Sequence, residues 1–253
     1  MKYLFALLLL LLYPPVADNV TTRFPAPAGY TRQKNEPGSF GEWLQKVPLK
    51  PAGTPTKTYK GDIARTDAYT AAVADVSIGS QDLQQCADAV MRLRAEYLYQ
   101  KKDYNNISFN FVSGFKCDYN HYANGYRYKN GKWVLTAGKD YTYPAFLRYM
   151  NLVFSYASTL SLEKELQPVK NTDEIKAGDV FIRGGSPGHC FIVMDVVENS
   201  NHQKQFLLAQ SFMPAQNIQI LKSEGSPWLS MNRQPVIYYG ELVKPQYLRR
   251  FVE

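Results

Sequence analysis

Two long stretches of the chain repeat apolar residues every three or four positions, which is the spacing of an amphipathic helix. The first begins after Asp82, which fits a capping box together with Gln85. Its apolar positions are Leu83, Ala87, Val90, Met91, Ala95 and Leu98. The second runs from about Pro144 to Gln167. A short third helix is predicted over residues 39–46, where an apolar piece interrupts a stretch rich in Pro and Gly.

The other apolar segments are short and bounded by turn residues, which is typical of strands. Strands are predicted at residues 71–79, 107–111, 178–182, 189–197 and 205–211, and an Asn-Gly hairpin at residues 126–135. The last three strands are joined by short turns and therefore predict an antiparallel meander. Because the helices precede the meander, the pattern predicts one α+β domain over residues 61–253. Residues 18–60 are expected to form an extended arm laid over it.

The first 17 residues predict a secretory signal peptide. Lys2 precedes a leucine-rich run from Tyr3 to Tyr13, Pro14 ends the run, and Ala17 offers a small residue for cleavage. The run is too short to cross a bilayer, which takes about 20 apolar residues. We therefore expect export to the periplasm or the extracellular space, with no membrane span after removal of the signal.

Composition removes several classes of function. The chain has 253 residues, of which 45% are hydrophobic, so a disordered chain is excluded. Its net charge of +7 comes from scattered basic residues, whereas nucleic-acid binding needs a clustered basic patch. With three histidines and no spaced cluster of ligands we expect no metal site, and without a phosphate-binding glycine loop we expect no cofactor. Three cysteines in an exported chain leave at least one unpaired within it.

Cys86 and His189 are the candidate chemical pair. A thiol near the start of the first helix feels the positive end of the helix dipole, which is expected to lower its pKa. His189 opens a strand directly after a glycine-rich turn, whereas His121 and His202 lie in loops. A Cys at a helix start and a His on a later strand are typical of thiol peptidases and amidases, in which they act as nucleophile and base. The alternatives are a buried core thiol and a structural histidine.

Such a histidine needs a polar group that orients its ring. If the last two strands of the meander pair about their polar turn, His189 comes close to Gln210 and Ser211. Gln210 is favoured because its amide oxygen can accept the imidazole N–H. The candidate oxyanion donors are the side chains of Gln84 and Gln85 and the backbone N–H of Cys86.

Four blocks of the sequence closely resemble a family of exported bacterial proteins of unknown function, and they span residues 39–44, 82–97, 187–189 and 207–216. A weaker resemblance is to the NlpC/P60-like and CHAP-like thiol hydrolases. Those enzymes have a Cys at a helix start, then Gly-Asp-hydrophobic, then Gly-His, which fits Cys86, residues 178–181 and residues 188–189. The residue before the Cys is Gln85, where those enzymes usually have Asp.

The second resemblance implies a papain-like fold, in which a helix carrying Cys86 packs on an antiparallel meander carrying His189. It also implies an exported thiol hydrolase that cleaves amide bonds of cell-wall peptide or a related envelope polymer. The alternative function is a non-catalytic binding or assembly protein of the cell envelope with the same fold.

Overall fold

The computed structural model describes residues 18–252, and the predicted signal peptide at residues 1–17 lies outside them. The helices are α1 (Val20–Arg23), α2 (Phe40–Gln45), α3 (Cys86–Gln100), α4 (Tyr119–Ala123), α5 (Tyr143–Tyr156) and α6 (Thr159–Glu165). The strands are β1 (Tyr30–Arg32), β2 (Thr70–Val73), β3 (Ser108–Asn110), β4 (Lys116–Asp118), β5 (Tyr126–Lys129), β6 (Lys132–Leu135), β7 (Gln167–Pro168), β8 (Val180–Arg183), β9 (His189–Asn199), β10 (Lys204–Gln210), β11 (Gln219–Leu221) and β12 (Leu248–Arg250).

One antiparallel sheet forms the centre of the molecule, with the strand order β2-β11-β10-β9-β8-β12-β7. β8, β9 and β10 are neighbours in the sheet and consecutive in the chain, so the predicted meander is confirmed. The register between β9 and β10 shifts between Leu207 and Leu208, which is a β-bulge. Two small hairpins, β3-β4 and β5-β6, lie outside this sheet.

The central sheet is buried on both faces, and β9 contributes side chains to each. Cys190 and Ile192 belong to a large apolar cluster that includes the core residues of α3 and α5. Phe191 and Val193 belong to a second cluster, which contains Leu248 near the end of the chain. Successive side chains of a strand point to opposite faces of its sheet. The helix α3 therefore covers the face of β9 that carries Cys190.

Three predicted elements differ from the observed ones. The first long helix begins at Cys86 rather than at Asp82. The second is broken into α5 and α6, because Ser158 caps a new helix by accepting a hydrogen bond from Leu160 N at 3.1 Å. The strand predicted over residues 71–79 is shorter and ends at Val73. The short helix predicted at residues 39–46 is confirmed as α2.

Residues 18–60 contribute more to the sheet than an extended arm would. The strand β1 pairs with the end of β9, so this segment supplies a strand of the central sheet. The buried Asp195 of β9 accepts hydrogen bonds from Arg32 Nε and Gln45 Nε2, both at 2.7 Å. These contacts fix the arm to the same strand that begins at His189.

The turn between β8 and β9 packs tightly against the start of α6. A Cβ atom at Gly188 would lie 2.5 Å from Gly185 O and 3.0 Å from Arg183 O, and it would overlap the hydroxyl of Thr159. We expect Gly188→Ala to lower the free energy of unfolding by about 1–3 kcal/mol, because backbone oxygens cannot move aside without strain. The measurement is urea unfolding followed by circular dichroism.

The control is Gly138→Ala, because a Cβ there would meet no atom within 4 Å. Equal losses of stability in the two variants would contradict the tight packing of this turn.

Candidate functional site

Cys86 is the first residue of α3 and lines an open cavity of about 300 Å³ at the N-terminus of that helix. The cavity is walled by the segment before α3, the junction of α5 and α6, the β8–β9 turn and two residues from later in the chain. The lining residues are Asp82, Leu83, Gln85, Cys86, Ala87, Asp88, Phe154, Ala157, Ser158, Thr159, Gly185, Ser186, Pro187, Gly188, Met213 and Tyr239. A ligand in this cavity would therefore contact a half-buried thiol.

Hydrogen bonds to neighbouring segments hold the start of α3 in place. Asp88 Oδ2 accepts from Gln85 N at 2.9 Å and so closes the first turn. Asp82 does not cap the helix as predicted, because its Oδ1 accepts from Ala215 N at 2.6 Å. The buried hydroxyl of Ser211 lies 2.9 Å from the backbone oxygen of Gln84. The segment that carries Cys86 is thus tied to the chain that follows β10.

A buried arginine on α3 holds the same segment from the other side. Arg92 is 4% exposed and pairs with Glu96, with 2.7 Å between Nε and Oε1. Its Nη1 also donates to Gln84 Oε1 at 3.2 Å and to Ser77 O at 3.1 Å. The side chain of Gln84 therefore points to Arg92 and is not among the groups that line the cavity. Its Nε2, the atom that would donate to an oxyanion, is buried without a hydrogen-bond partner, so the donor role of Gln84 stays a prediction. Gln85, by contrast, does line the cavity.

Burial determines the electrostatics of Cys86. Burial, and to a smaller extent the nearby Asp88, raise the pKa of its thiol to about 11. The backbone N–H groups of Ala87 and Cys86 lower the pKa, as expected at a helix N-terminus, but they are the smaller effects. The expectation that this position lowers the thiol pKa is therefore wrong.

Asp88 is a functional candidate that the sequence did not reveal. It is 7% exposed, and burial raises its pKa to about 8 although Gln85 N donates to it. Its Oδ1 is buried and has no hydrogen-bond partner, and the residue lines the cavity. A buried carboxyl oxygen without a partner is costly, so it marks a place where a ligand can bind. Placing the helix start at Asp82 concealed Asp88, because Asp88 is the third residue of the real helix.

His189 lies at the start of β9 on the face that points away from α3. Its ring packs 4.8 Å from the ring of Phe191, in the second apolar cluster, and stacks on Tyr239 at 4.8 Å and 19°. Nε2 of His189 donates to Gln210 Oε1 at 2.7 Å, so the predicted contact between these two residues is present. The ring is 1% exposed, and burial lowers its pKa to about 4, so it is neutral at physiological pH.

The structure does not bring the His189 ring to the Cys86 thiol. The residue of β9 that faces the start of α3 is Cys190, which belongs to the same apolar cluster that Cys86 contacts. Burial, and then Cys86 and Asp88, hold the pKa of Cys190 well above its ordinary value. Because neighbouring residues of a strand point to opposite faces, the ring of His189 points away from the face of β9 that α3 covers. The predicted pairing of this thiol with this imidazole is corrected on that ground.

The remaining candidates lie away from the cavity. His121 pairs with Asp118 at 2.8 Å and His202 with Glu198 at 2.5 Å, both on the surface. Within residues 18–252 no group of three or more His, Cys, Asp or Glu residues is arranged to hold a metal ion. Over the same residues, every helix is too short or too polar to cross a membrane.

The low pKa of His189 predicts acid sensitivity. An unfolded chain binds a proton at this histidine near its ordinary pKa of 6.5, whereas the folded chain binds it only near about 4. The stability that His189 contributes is therefore lost as the pH falls from about 6.5 to 4. We expect His189→Gln to reduce the loss of unfolding free energy between pH 7 and pH 5, measured by urea unfolding.

The matched control is His202→Gln, because the side chain of His202 is 89% exposed. This variant should show the same pH dependence as the unaltered chain. A pH dependence that is unchanged in His189→Gln would contradict a neutral, buried His189.

The whole of this arrangement falls within one recognised family. Residues 20–247 match the family model described as domain of unknown function (4846), a range that takes in β1, the cavity and every strand of the central sheet except β12. No curated protein and no solved structure matches the chain. Because the match covers most of the chain, the protein belongs to the family of domain of unknown function (4846).

Proposed function

We propose that this protein is a thiol-dependent hydrolase of amide bonds, with Cys86 as nucleophile and Asp88 as the base that accepts its proton. The observation that carries the proposal is the position of Cys86. It opens α3, it lines the cavity, and a buried carboxyl with an unpartnered oxygen lies two residues away. A nucleophile beside a base in a concave site is the arrangement that covalent catalysis requires.

The reaction follows from these groups. The Asp88 carboxylate takes the thiol proton, and the sulfur forms a bond to the carbonyl carbon of the substrate. The developing oxyanion is stabilised by the backbone N–H groups of Cys86 and Ala87, which point at the thiol, and by Gln85 Nε2. The C–N bond then breaks, and the amine leaves with the proton from Asp88. Water attacks the thioester, Asp88 accepts a proton from it, and this proton returns to the thiol as the acid product leaves.

Asp88 takes the role expected of His189 because it lies on the correct side of the sheet. In this proposal His189 and Gln210 are positioning residues. The neutral ring of His189 stacks on Tyr239, which lines the cavity and has a backbone φ of +60°, a conformation that non-glycine residues seldom adopt. The hydrogen bond to Gln210 fixes the ring that supports this wall.

We propose further that the protein is exported and acts on cell-wall peptide or a related polymer of the envelope. Support for export comes from the signal-like pattern of residues 1–17. The size of the cavity limits the part of the substrate next to the cleaved bond, because a volume of about 300 Å³ holds roughly one or two amino-acid residues.

The second candidate function is a binding protein of the envelope without catalysis. The raised pKa of Cys86, about 11, favours it, because the thiol is then protonated at physiological pH. Binding of cell-wall fragments without turnover by the unaltered protein would select this candidate.

The proposed reaction predicts that turnover depends on Cys86 and Asp88. Incubation with a peptidoglycan digest, followed by mass spectrometry of the products, should show cleaved amide bonds. Cys86→Ala and Asp88→Asn should abolish cleavage, whereas Cys117→Ala, in a buried strand away from the cavity, should retain it. The rate should rise as the pH approaches and passes about 8, because Asp88 accepts a proton only once it is ionised.

Alkylation of the thiol gives a second readout that is independent of turnover. Asp88 raises the pKa of Cys86, so Asp88→Asn should increase the rate of Cys86 alkylation by iodoacetamide at pH 8 severalfold. The control is Asp62→Asn, an exposed residue outside the cavity, which should leave the rate unchanged. Loss of turnover together with faster alkylation would show that Cys86 is still in place and reactive, so that the lost step is the proton transfer to Asp88. Retained turnover in Asp88→Asn would contradict the assignment.

A further inference from the structure

The ionisable side chains that line the cavity are acidic, apart from the thiol and the phenol. Asp82 and Asp88 are among its lining residues, and none of the described residues of the lining is Lys, Arg or His. This is notable in a chain with a net charge of +7, whose overall field attracts anions. Local charge therefore opposes the charge of the whole molecule at this site.

The two carboxyl groups are placed on either side of Gln85. Its side-chain Nε2 donates to Asp82 Oδ1 at 3.3 Å, and its backbone N donates to Asp88 Oδ2 at 2.9 Å. Asp88 is nine-tenths buried, lines the cavity and has a buried oxygen without a partner, whereas Asp82 is exposed. One carboxyl thus lies deep beside the thiol, and the other lies where a ligand would enter.

Two arginines contact residues of the lining. Arg183 lies over the ring of Tyr239 at 5.7 Å and pairs with Glu241 at 3.5 Å. Arg65 lies over the ring of Phe212 at 5.5 Å, and its Nη2 donates to the backbone oxygen of Met213 at 3.4 Å. The partners of these two arginines are therefore groups other than Asp82 and Asp88. A positively charged group of a ligand would therefore be the counter-charge of Asp82.

Five apolar side chains form another part of the wall, and they are suited to contact the group next to the charged one. Leu83, Phe154, Ala157 and Pro187 line the cavity, and Met213, which is 46% exposed, lies at its rim. An apolar surface with one convergent charge is the usual composition of a site for a small amphipathic ligand.

We infer that the cavity binds a peptide through a free ammonium group, with Asp82 as its counter-charge and the apolar wall against the adjoining side chain. The place of the cleaved bond beside Cys86 rests on the proposed function, whereas recognition of the ammonium group does not require catalysis. The substrate class is thus a short peptide with an unblocked amino group, and Asp82 determines this specificity. Blocked or acidic peptides would be excluded by the missing counter-charge and by repulsion.

The test is a binding measurement on the full mature chain carrying Cys86→Ala, which cannot form a covalent intermediate. The probes are alanyl dipeptide amides with free amino groups and the same peptides after N-acetylation, titrated by calorimetry at pH 6.5. At this pH the peptide amine is charged, and Asp88 is below its pKa of about 8, so the preference for the amine reports on Asp82.

We expect the free amines to bind roughly three- to tenfold more tightly than the acetylated peptides, and Asp82→Asn to remove that difference. Asn at this position can still accept the hydrogen bond from Ala215 N, so the fold is retained, which thermal unfolding verifies. The control is Asp62→Asn. Equal binding of free and acetylated peptides, an unchanged preference in Asp82→Asn, or no binding of any of these peptides would overturn the inference. Preferential binding of free amines by a protein without turnover would leave the inference standing and reject the proposed hydrolase.

Discussion

The alternation of side chains along β9 is the constraint on which the rest of the structure depends. Because α3 packs on one face of this strand, only every second side chain of β9 can contact the N-terminus of the helix. Cys190 takes that place, and His189 turns to the other face, where Phe191 and Tyr239 enclose it. A change of one residue in register would exchange the two. The pairing of functional groups is thus decided by the sheet and not by their order along the chain.

One physical cause, burial without a charged partner, shifts the pKa values of Cys86, Asp88 and His189. It raises the pKa of Cys86 and of Asp88 and lowers the pKa of His189, so each is driven towards its neutral form. The buried ion pair of Arg92 and Glu96 behaves differently, because each charge there has its counter-charge at 2.7 Å. That pair anchors the segment before α3. The cavity, by contrast, contains the neutral groups Cys86 and Asp88, which a charged ligand can ionise.

The sequence predicted the periodic elements and the local hydrogen-bond partner, but not the assembly of the site. The meander, α2 and the Asn130-Gly131 hairpin follow from patterns that act over a few residues. The contact of His189 with Gln210 followed from strand register. The separation of His189 from Cys86 depends on which face α3 covers, and the burial of Asp88 depends on where the helix begins. Those are properties of packing between distant segments, which spacing along the chain does not encode.

The proposed hydrolysis and the proposed binding of an ammonium group both depend on the transfer of the Cys86 thiol proton to Asp88. Moving the proton from the Cys86 thiol to the Asp88 carboxylate is uphill, because the pKa of the thiol is about 11 and that of the carboxyl is about 8. An ammonium group bound beside Asp82 would lower both values, because a nearby positive charge favours the ionised form of each acid. A ligand that brings this charge therefore activates the thiol that attacks it. A peptide without the charge meets a protonated thiol and a protonated carboxyl that cannot accept a second proton, so recognition and reactivity share one electrostatic origin.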